Sequence, residues 1–275
     1  MAETMWGRSL SDEDFRLFQN LFYQEIGLHL SPQKKMLVTG RLGKRLAGLG
    51  LSSFREYYNL LKSDRLGREL QQAIDLITTN ETFFFREAKH FDVLKRDVIP
   101  SREAGRDLRI WSAACSTGEE PYSIAMVMHQ LLGRFGWELI ASDISQRVLE
   151  RAARGLYSTE RIAGIPQDLL KAYCLRGRGE YEGMLLVERS LRELIEFRQV
   201  NLMEIPGDLG AFDAVFLRNV IIYFDHPTKQ KVLNDVCRRL RPGGWLFLGH
   251  SESLAGMNAP LRSVGPSVYR LVQVG

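Results

Sequence analysis

The sequence predicts an α/β fold in which a doubly wound, mostly parallel sheet follows an N-terminal α-helical domain. Apolar residues recur at helical spacing over the first eighty residues, and beyond residue 107 short apolar runs alternate with helical segments. A glycine-bearing strand–turn–strand pattern interrupts that alternation and predicts a small antiparallel β insertion. The predicted divisions are a helical domain 1–80, a linker 81–106 and a sheet domain 107–275, with the insertion at about 165–197.

Composition places the chain among ordinary folded proteins. It has 275 residues, of which 45% are hydrophobic and 25% charged, and its net charge of +4 favours an acidic partner without identifying one. The three cysteines lie far apart, and no Cys/His spacing suits a metal. No segment approaches 18 uninterrupted apolar residues. We therefore expect a reduced, cytoplasmic protein with no metal site and no membrane insertion, and nothing indicates an obligate oligomer.

Four short amphipathic helices are predicted in the first domain. Serines suited to N-capping precede three of them, at Ser11, Ser31 and Ser53. Pro32 follows the second cap at the first helical position, and Gly27 ends the first helix. The predicted apolar faces, in helix order, are Phe15, Phe18, Phe22 and Ile26; Val38, Leu42, Leu46 and Leu49; and, in the fourth helix, Leu66, Leu70, Ala73, Ile74 and Ile77.

The second domain reads as alternating strands and helices. The runs DLRIWSAA, WELIASD, FDAVFLRN and WLFLGHSES are strand-like, and the segments EEPYSIAMVMHQLLG, SQRVLERAARG and HPTKQKVLNDVCRRL are helical. Nearly continuous apolar strands are typical of a parallel sheet that is covered on both faces. Right-handed crossovers place the carboxyl ends of such strands along one rim, where ligands bind.

The segment WSAACSTGEEPYSIA joins the first of these strands to its helix. Its small residues allow a ligand close to the backbone, and the helix N-terminus offers free N–H groups to an anion. Glu119 and Glu120 lie in the first helical turn, where one of them could receive a ligand ammonium group. A zwitterionic amino-acid moiety suits both features, although a tight turn with acidic capping has the same pattern. The dinucleotide fingerprint and the phosphate loop are absent, which argues against a nicotinamide enzyme or an NTPase.

Further polar residues are predicted at the same rim. Asp143 ends the second strand, where an acidic residue commonly binds ribose hydroxyls, unless it only supports a turn. Arg218 and Asn219 interrupt the apolar run FLRNVIIYF and need polar partners, which a ligand could supply. Tyr223 and Asn201 are placed to project into the same cleft.

Five segments, in order along nearly the whole chain, resemble the CheR-type chemotaxis receptor methyltransferases. They are TTNETFFFRE, WSAACSTGEEPYSIA, ASDIS, NL at 201–202 and FLRNVIIYF. The resemblance implies a Rossmann-like domain that binds S-adenosylmethionine. It also implies methyl transfer to glutamate side-chain carboxylates of chemoreceptors in chemotactic adaptation, with S-adenosylhomocysteine as the second product.

The resemblance also implies roles for particular residues. In the family, the segment matching TTNETFFFRE crosses from the helical domain onto the cofactor, and its phenylalanines anchor that crossing or simply form core beneath it. Arg86 and Tyr223 are the implied catalytic pair. The implied cofactor-binding residues are Asn80, Thr82, Arg86, Glu120, Asp143, Asn201, Leu202, Arg218 and Asn219.

Two docking surfaces are expected from the same resemblance. A basic face of the second helix would bind the acidic coiled coil of a receptor, through Lys34, Arg41, Lys44 and Arg45. The glycine-bearing loop RGRGEYEG would bind a tethering pentapeptide from the receptor C-terminus, through Arg176, Gly177, Gly179 and Gly183. A solvated helix face and a tight turn without a ligand are the plainer interpretations of these two patterns.

Three other functions share parts of the sequence pattern. A nucleic-acid methyltransferase would suit the basic charge, but no Asn/Asp-Pro-Pro-Tyr motif is present and the basic residues concentrate on one helix, so no nucleic-acid partner is expected. A small-molecule methyltransferase would leave the helical domain unexplained. A non-catalytic receptor adaptor is the third alternative, against which stands the presence of all the implied site residues.

Overall fold

A computed structural model describes residues 9–272 of the chain. The outermost residues of the first and last predicted domains therefore lie outside the described part. The chain divides into two compact units: one runs to Thr79 and also takes Tyr223–Thr228, and the other comprises Asn80–Ile222 together with the residues from Lys229 onward. The predicted linker 81–106 belongs to the second unit and contains helical segments of its own.

The helical unit is built around aromatic side chains. The Oγ atoms of Ser11 and Ser53 accept hydrogen bonds from the third residue beyond each, so both act as N-caps. Phe18 lies at the centre, with its ring stacked on Phe22 at 6.3 Å and edge-on to Phe54 at 6.2 Å. A 3-10 turn, Pro32–Lys34, precedes the second helix. The helices are α1 (Asp12–Ile26), α2 (Lys35–Gly48), α3 (Phe54–Ser63) and α4 (Arg68–Ile77).

The second unit contains a seven-stranded sheet. The strands are β1 (Leu108–Ala113), β2 (Trp137–Asp143), β6 (Ile195–Gln199), β7 (Phe212–Leu217), β8 (Leu240–Leu248), β9 (Leu261–Gly265) and β10 (Val268–Leu271). Their spatial order is β6-β2-β1-β7-β8-β10-β9. The first five are parallel, and β10 runs antiparallel to both of its neighbours. The carboxyl ends of β1, β2 and β7 therefore meet at one rim.

Helices cover both faces of this sheet, as the buried strands require. Within the core, Phe216 of β7 stacks on Phe247 of β8 with the ring centroids 4.3 Å apart, and both side chains are fully buried. Burying one such ring contributes roughly 1.5–3 kcal/mol. The helices of this unit are α5 (Lys89–Val93), α6 (Glu119–Leu132), α7 (Gln146–Arg154), α8 (Gln167–Tyr173), α9 (Arg189–Arg192) and α10 (His226–Arg239), whose first residues belong to the helical unit; a π-helical turn, Leu94–Val98, continues α5.

The antiparallel insertion is a three-stranded sheet of order β3-β5-β4. Its strands are β3 (Leu156–Ser158), β4 (Cys174–Arg176) and β5 (Met184–Val187). The insertion therefore starts at Leu156, earlier than the predicted boundary near 165. The sequence missed β3 because three residues directly after the helix-ending Gly155 are too few to show alternation. Strand β4 is one edge of this small sheet.

Candidate active site

The loop between β1 and α6 has an unusual backbone. Ala114 and Ser116 have positive φ values of 63° and 51°, and Gly118 follows at 96°. A Cβ on Gly118 would come within 2.8 Å of Cβ of Ala152, so only glycine fits there. Non-glycine residues in this conformation cost free energy and concentrate at functional sites. The loop brings its backbone and the N-terminus of the 14-residue helix α6 to the rim.

Asp143 joins this loop to the next one. Its carboxylate accepts hydrogen bonds from the backbone N–H groups of Ser116, at 2.9 Å, and Ser145, at 3.0 Å. Asp143 thus supports the turn, as the plainer interpretation expected, and its contact with the cofactor stays a prediction.

The third loop of the rim follows β6. The backbone N–H of Val200 donates to the carbonyl of Asp143 at 3.1 Å, which ties this loop to the end of β2. Oδ1 of Asn201 accepts from the N–H of Met203 at 3.0 Å, and the side chain of Leu202 is buried. The predicted pair Asn201 and Leu202 therefore lies beside Asp143 at the rim.

The segment TTNETFFFRE reaches the same rim. Oγ of Ser116 donates to the carbonyl of Asn80 at 3.1 Å, so the segment contacts the first loop at the start of the second unit. Thr82, two residues on, is partly exposed. The structure thus brings Asn80 to the loop that the sequence predicted to bind the cofactor, and the cofactor contact of Thr82 stays a prediction.

The three phenylalanines of this segment divide into two roles. Phe84 is fully buried, edge-on to Tyr157 at 4.9 Å, and Phe85 is buried against Phe91, also at 4.9 Å. Phe83 is 49% exposed. The rings of Phe84 and Phe85 therefore belong to the core. The ring of Phe83 lies at the surface, below the guanidinium group of Arg86.

Arg86 presents its guanidinium group close to this rim. The group lies 5.6 Å from the ring centre of Phe83 and donates to the carbonyl of Glu81 at 3.1 Å. Among residues 9–272, no carboxylate forms an ion pair with it, although other arginines of the chain are paired with carboxylates. A fixed arginine fork with no acidic partner is suited to binding a carboxylate.

Arg218 has a different environment from the one the sequence suggested. Its side chain is only 2% exposed, and it forms ion pairs with Glu87 at 3.0 Å and Glu120 at 2.8 Å. The guanidinium also donates to the backbone carbonyl of Arg86. The polar partners that Arg218 needs are therefore protein groups, and we call Glu87, Glu120 and Arg218 the rim cluster.

The two glutamates that begin α6 are both largely buried but differ in their partners. Burial raises the pKa of Glu120, against the opposing effects of Arg218 and of Ser112, whose Oγ donates to it at 2.7 Å. Burial also raises the pKa of Glu119, which accepts from Thr117 and pairs with Arg161. Glu119 is thus bound within the fold, and Glu120 lies in the rim cluster.

Asn219 is supported by a residue that the sequence analysis did not identify. It has a positive φ of 59°, and its backbone N–H donates to Glu252 at 2.8 Å. Glu252 also accepts from the N–H of Gly249 at 2.7 Å, so it joins the turns after β7 and β8. Burial raises its pKa, against the hydrogen bonds from these N–H groups. The signal was available in GHSES, where an acidic residue lies four positions after the end of a buried strand.

One group of metal-ligating side chains is found among the described residues. Ligand atoms of Glu87, His90 and His250 lie within 4.8 Å of one another. The Glu87 carboxylate already binds the guanidinium of Arg218 and accepts from the backbone N–H of His250 at 2.9 Å. A cation there would face the positive charge of Arg218, so the geometry favours an ion-pair cluster. Burial lowers the pKa of His90 to about 4, so this ring is neutral at pH 7.

Tyr223 and the predicted basic face belong to the helical unit. The carbonyl of Tyr223 accepts from the N–H of His29 at 2.9 Å. Arg41 donates to the carbonyls of Ile77, at 2.7 Å, and Thr78, at 2.9 Å.

The other three residues of the basic face differ in whether they contact the helical unit. Arg45 pairs with Glu69, which also accepts from Tyr57. Lys34 and Lys44 are exposed. Two of the four predicted receptor contacts therefore also stabilise the helical unit itself.

The predicted peptide loop forms the turn between β4 and β5. Arg176 is the last residue of β4, and the N–H of Gly177 donates to the carbonyl of Met184 at 2.9 Å. A side chain on Gly177 would collide with the carbonyl of Tyr181. Gly179 and Gly183 have positive φ values of 61° and 80°. These glycines are required by the turn itself, whether or not it binds a peptide.

The fold and the rim together define a class of protein. A parallel sheet extended by the antiparallel pair β10 and β9, with small-residue and acidic loops after β1 and β2, is a Rossmann-like methyltransferase domain that binds S-adenosylmethionine. The acceptors and donors at the rim suit that molecule: a carboxylate for its ribose, and a helix N-terminus beside Glu120 for its amino-acid part. None of the helices in residues 9–272 has the length and hydrophobicity needed to cross a bilayer.

The chain belongs to the CheR methyltransferase family. The family's all-alpha domain matches residues 13–78, and its SAM-binding domain matches residues 80–269. It is therefore an S-adenosylmethionine-dependent methyltransferase of chemotaxis. The two matches meet where the two compact units of the structure divide.

Relatives match along nearly their whole length. A chemotaxis protein methyltransferase of Escherichia coli (strain K12) is 42% identical over 266 residues, which cover 96% of this chain and 92% of that protein. Chemotaxis protein methyltransferase 2 of Pseudomonas aeruginosa is 44% identical over 260 residues, covering 94% and 92%. Among solved structures, a glycopeptide N-methyltransferase complexed with S-adenosylmethionine is 18% identical and covers 70% of this chain and 69% of that chain, with a TM-score of 0.36, a similarity too weak to support any conclusion.

Proposed function

We propose that this protein is a cytoplasmic enzyme that methylates glutamate side chains of chemoreceptor signalling domains, giving glutamate methyl esters. One observation carries the choice of acceptor: Arg86 is an arginine without an acidic partner among the described residues, in the segment whose Asn80 contacts the cofactor loop. A carboxylate acceptor needs a fixed cation of this kind for orientation. A neutral amine or hydroxyl acceptor would gain little from it.

The reaction needs no general base, since a glutamate with a reference pKa of about 4.3 is already ionised at neutral pH. When bound, S-adenosylmethionine would supply an electrophilic methyl group to the carboxylate oxygen, and the electron pair of its carbon–sulfur bond would stay on sulfur in S-adenosylhomocysteine. The residues of this chain orient the acceptor and exclude water. Arg86 binds the acceptor carboxylate, and the role of Tyr223 as a hydroxyl donor is proposed from the family resemblance alone.

The cofactor contacts proposed for the rim follow from its hydrogen-bonding groups. Asp143 accepts from ribose hydroxyls, and Asn219 and Asn201 present amide groups at the neighbouring strand ends. Asn80, Thr82 and Leu202 line the same pocket. Arg218 contributes by fixing Glu120, the proposed contact of a ligand ammonium group.

The principal experiment is transfer of a radiolabelled methyl group to chemoreceptor-containing membranes, followed by alkaline treatment. Release of the label as methanol identifies a carboxyl methyl ester. Label that stays in place after base would indicate nitrogen or carbon methylation and would overturn the proposal. Binding of the cofactor without any transfer to a range of receptors would favour an adaptor instead.

Arg86 provides the sharpest mutational test. Arg86→Ala removes the acceptor-binding fork, so turnover is expected to fall about 100-fold or more, as when an electrostatic donor is removed from an active site. Affinity for S-adenosylhomocysteine, measured by calorimetry, should change much less. The matched control is Arg96→Ala, since Arg96 is a surface arginine of the same unit that pairs with its neighbour Asp97. Similar turnover in the two variants would remove Arg86 from the mechanism.

Receptor docking is proposed for the basic face of α2, through Lys34, Arg41, Lys44 and Arg45. Because Arg41 and Arg45 also bind groups of the helical unit, their substitution would confuse docking with stability. Lys34 and Lys44 are exposed, and reversing both to glutamate should raise KM for receptor membranes several-fold with little change in kcat. Lys62→Glu, an exposed lysine on α3, is the control. An unchanged KM would contradict the docking role.

A second contact is proposed at the edge of the small sheet. Among the described strands, β4 pairs with β5 alone and lies at the edge of the small sheet, where a receptor C-terminal pentapeptide could add a strand. The turn formed by Gly177, Gly179 and Gly183, next to Arg176, would lie beside that peptide. Titration of such a peptide, with a scrambled peptide as control, tests this contact, and equal binding of the two would argue against it.

A further inference from the structure

The turn that contains Arg86 has an unusual backbone. Phe85 and Glu87, the residues on either side of it, have positive φ values of 55° and 60°. Two non-glycine residues in this conformation, separated by one residue, form a strained turn that persists only when surrounding contacts fix it. The direction of the Arg86 side chain therefore depends on what holds its two neighbours.

The first side of the turn is fixed by packing and one hydrogen bond. The backbone N–H of Phe85 donates to Oγ of Ser123 on α6 at 3.0 Å. The carbonyl of Phe84 lies against Gly164, where a Cβ would collide with it. These contacts fix the backbone up to Phe85. They do not reach Glu87, on the second side of the turn, which other groups must hold.

The second side is fixed by the rim cluster. Oε2 of Glu87 accepts from Nη2 of Arg218 at 3.0 Å, and Oε1 accepts from the N–H of His250 at 2.9 Å. Arg218 at the same time donates to the carbonyl of Arg86 itself. The side chain of Arg218 is 2% exposed and that of Glu87 is 10% exposed, so water competes little for the bonds between them.

Glu87 is ionised in this arrangement. Burial raises its pKa, but the N–H of His250 and the charge of Arg218 outweigh that effect and the pKa is lowered. The charge-assisted bonds it accepts are roughly twice as strong as neutral ones. Loss of the negative charge would therefore release the turn, while Arg218 stays paired with Glu120 at 2.8 Å.

We propose that Glu87 is a positioning residue for methyl transfer: through Arg218 and the backbone of the Phe85–Glu87 turn, it fixes the direction in which Arg86 presents its guanidinium group. This inference rests on the proposed role of Arg86. Glu87 touches neither acceptor nor cofactor in this scheme, and its effect passes entirely through Arg86. Misplacement of an orienting group by about 1 Å can cost up to 100-fold in rate, so the effect should appear in turnover.

The variant Glu87→Gln keeps the shape of the side chain and removes its charge. We expect kcat to fall about 10- to 100-fold while the dissociation constant of S-adenosylhomocysteine changes less than about threefold. The control is Asp213→Asn, which removes a carboxylate of similar burial in the same unit; Asp213 binds Arg106 and Arg241 at the opposite end of β7. Asp213→Asn should lower the free energy of unfolding but leave kcat, calculated per folded molecule, unchanged.

A double-mutant cycle separates positioning from general stability. In an Arg86→Ala background, Glu87→Gln should produce no further loss of kcat, because its effect passes through Arg86. The proposal would be overturned if Glu87→Gln lowered kcat equally in the wild-type and Arg86→Ala backgrounds. It would also be overturned if Glu87→Gln lowered kcat no more than Asp213→Asn does. Full activity of Arg86→Ala would instead refute the proposed role of Arg86, so the two failures are distinguishable. If Glu87→Gln does not fold, Glu87→Asp, which keeps the charge and shortens the reach, is measured in the same cycle.

Discussion

Strand β7 carries an arginine–carboxylate cluster at each end, and the two clusters differ in charge balance. At the carboxyl end, the rim cluster sets two carboxylates, Glu87 and Glu120, against the single guanidinium of Arg218. At the amino end, Asp213 binds Arg106 and Arg241, and we call these three the base cluster. Arg106 also pairs with the exposed Glu103 at 3.0 Å, so the charges at the base balance, whereas the rim cluster has one carboxylate more than it has guanidinium groups.

The difference teaches that residue type alone does not separate a functional cluster from a structural one. The base cluster fastens strand ends to each other: Asp213 also accepts from the backbone N–H of Arg109 on β1 at 2.8 Å. The rim cluster fastens a strained turn beside the cofactor loops, where the residual negative charge suits a ligand that carries cationic groups. Position along the strand, relative to the rim where ligands bind, assigns the role.

The largest effect expected from this comparison is on stability. Arg218→Met leaves two buried carboxylates without a cation, which should cost about 3–5 kcal/mol of unfolding free energy. Arg241→Met leaves Asp213 paired with Arg106 and partly exposed, so about 1 kcal/mol is expected. Urea unfolding followed by circular dichroism measures both. Similar urea unfolding midpoints for the two variants would show that the two clusters contribute equally to stability, contrary to this prediction.

A smaller effect is expected on the pH dependence of stability, because the rim cluster has a histidine beside it. His90 has a pKa of about 4 in the folded protein, below its unfolded value of 6.5, so the unfolded state binds more protons between these values. Stability should therefore fall as the pH is lowered, by about 2 kcal/mol from this residue between pH 7.5 and pH 5.

The measurement is the unfolding midpoint of the wild type and of His90→Phe across that pH range. The phenylalanine keeps a ring against Phe247, which the histidine contacts edge-on at 5.5 Å. Buried acids such as Glu252 titrate alike in both proteins, so the difference isolates the histidine. Parallel pH profiles for the two proteins would show that His90 is not buried as a neutral ring.

Much of the fold was predictable from local patterns. The capping serines Ser11 and Ser53 and the stop at Gly27 were confirmed because capping depends on residues only three or four apart. The parallel sheet was confirmed because its strands are buried on both faces and so are apolar throughout. Strand β3 was missed, since a three-residue strand leaves no periodic signal.

The candidate site was predictable only in part. The sequence identified the rim residues Asp143, Arg218 and Asn219, because polar groups at the ends of apolar strands need partners. It could not identify what those partners are. Glu87 and Glu252 reach the rim from segments distant in sequence, and Arg41 and Arg45 proved to bind groups of their own helical unit.

By itself, the sequence determined the class of this protein: a helical domain, a doubly wound sheet, and motifs that place it in a methyltransferase family. Each of these can be predicted from a short segment of sequence, because residue spacing and helix capping depend on neighbouring residues. Only the tertiary structure decided which charges meet. Arg218 and Glu87 are joined across more than a hundred residues of chain, and Arg86 is left without an acidic partner among the described residues. Ion pairing depends on distances of a few ångströms, and those distances exist only after the strands and helices have packed.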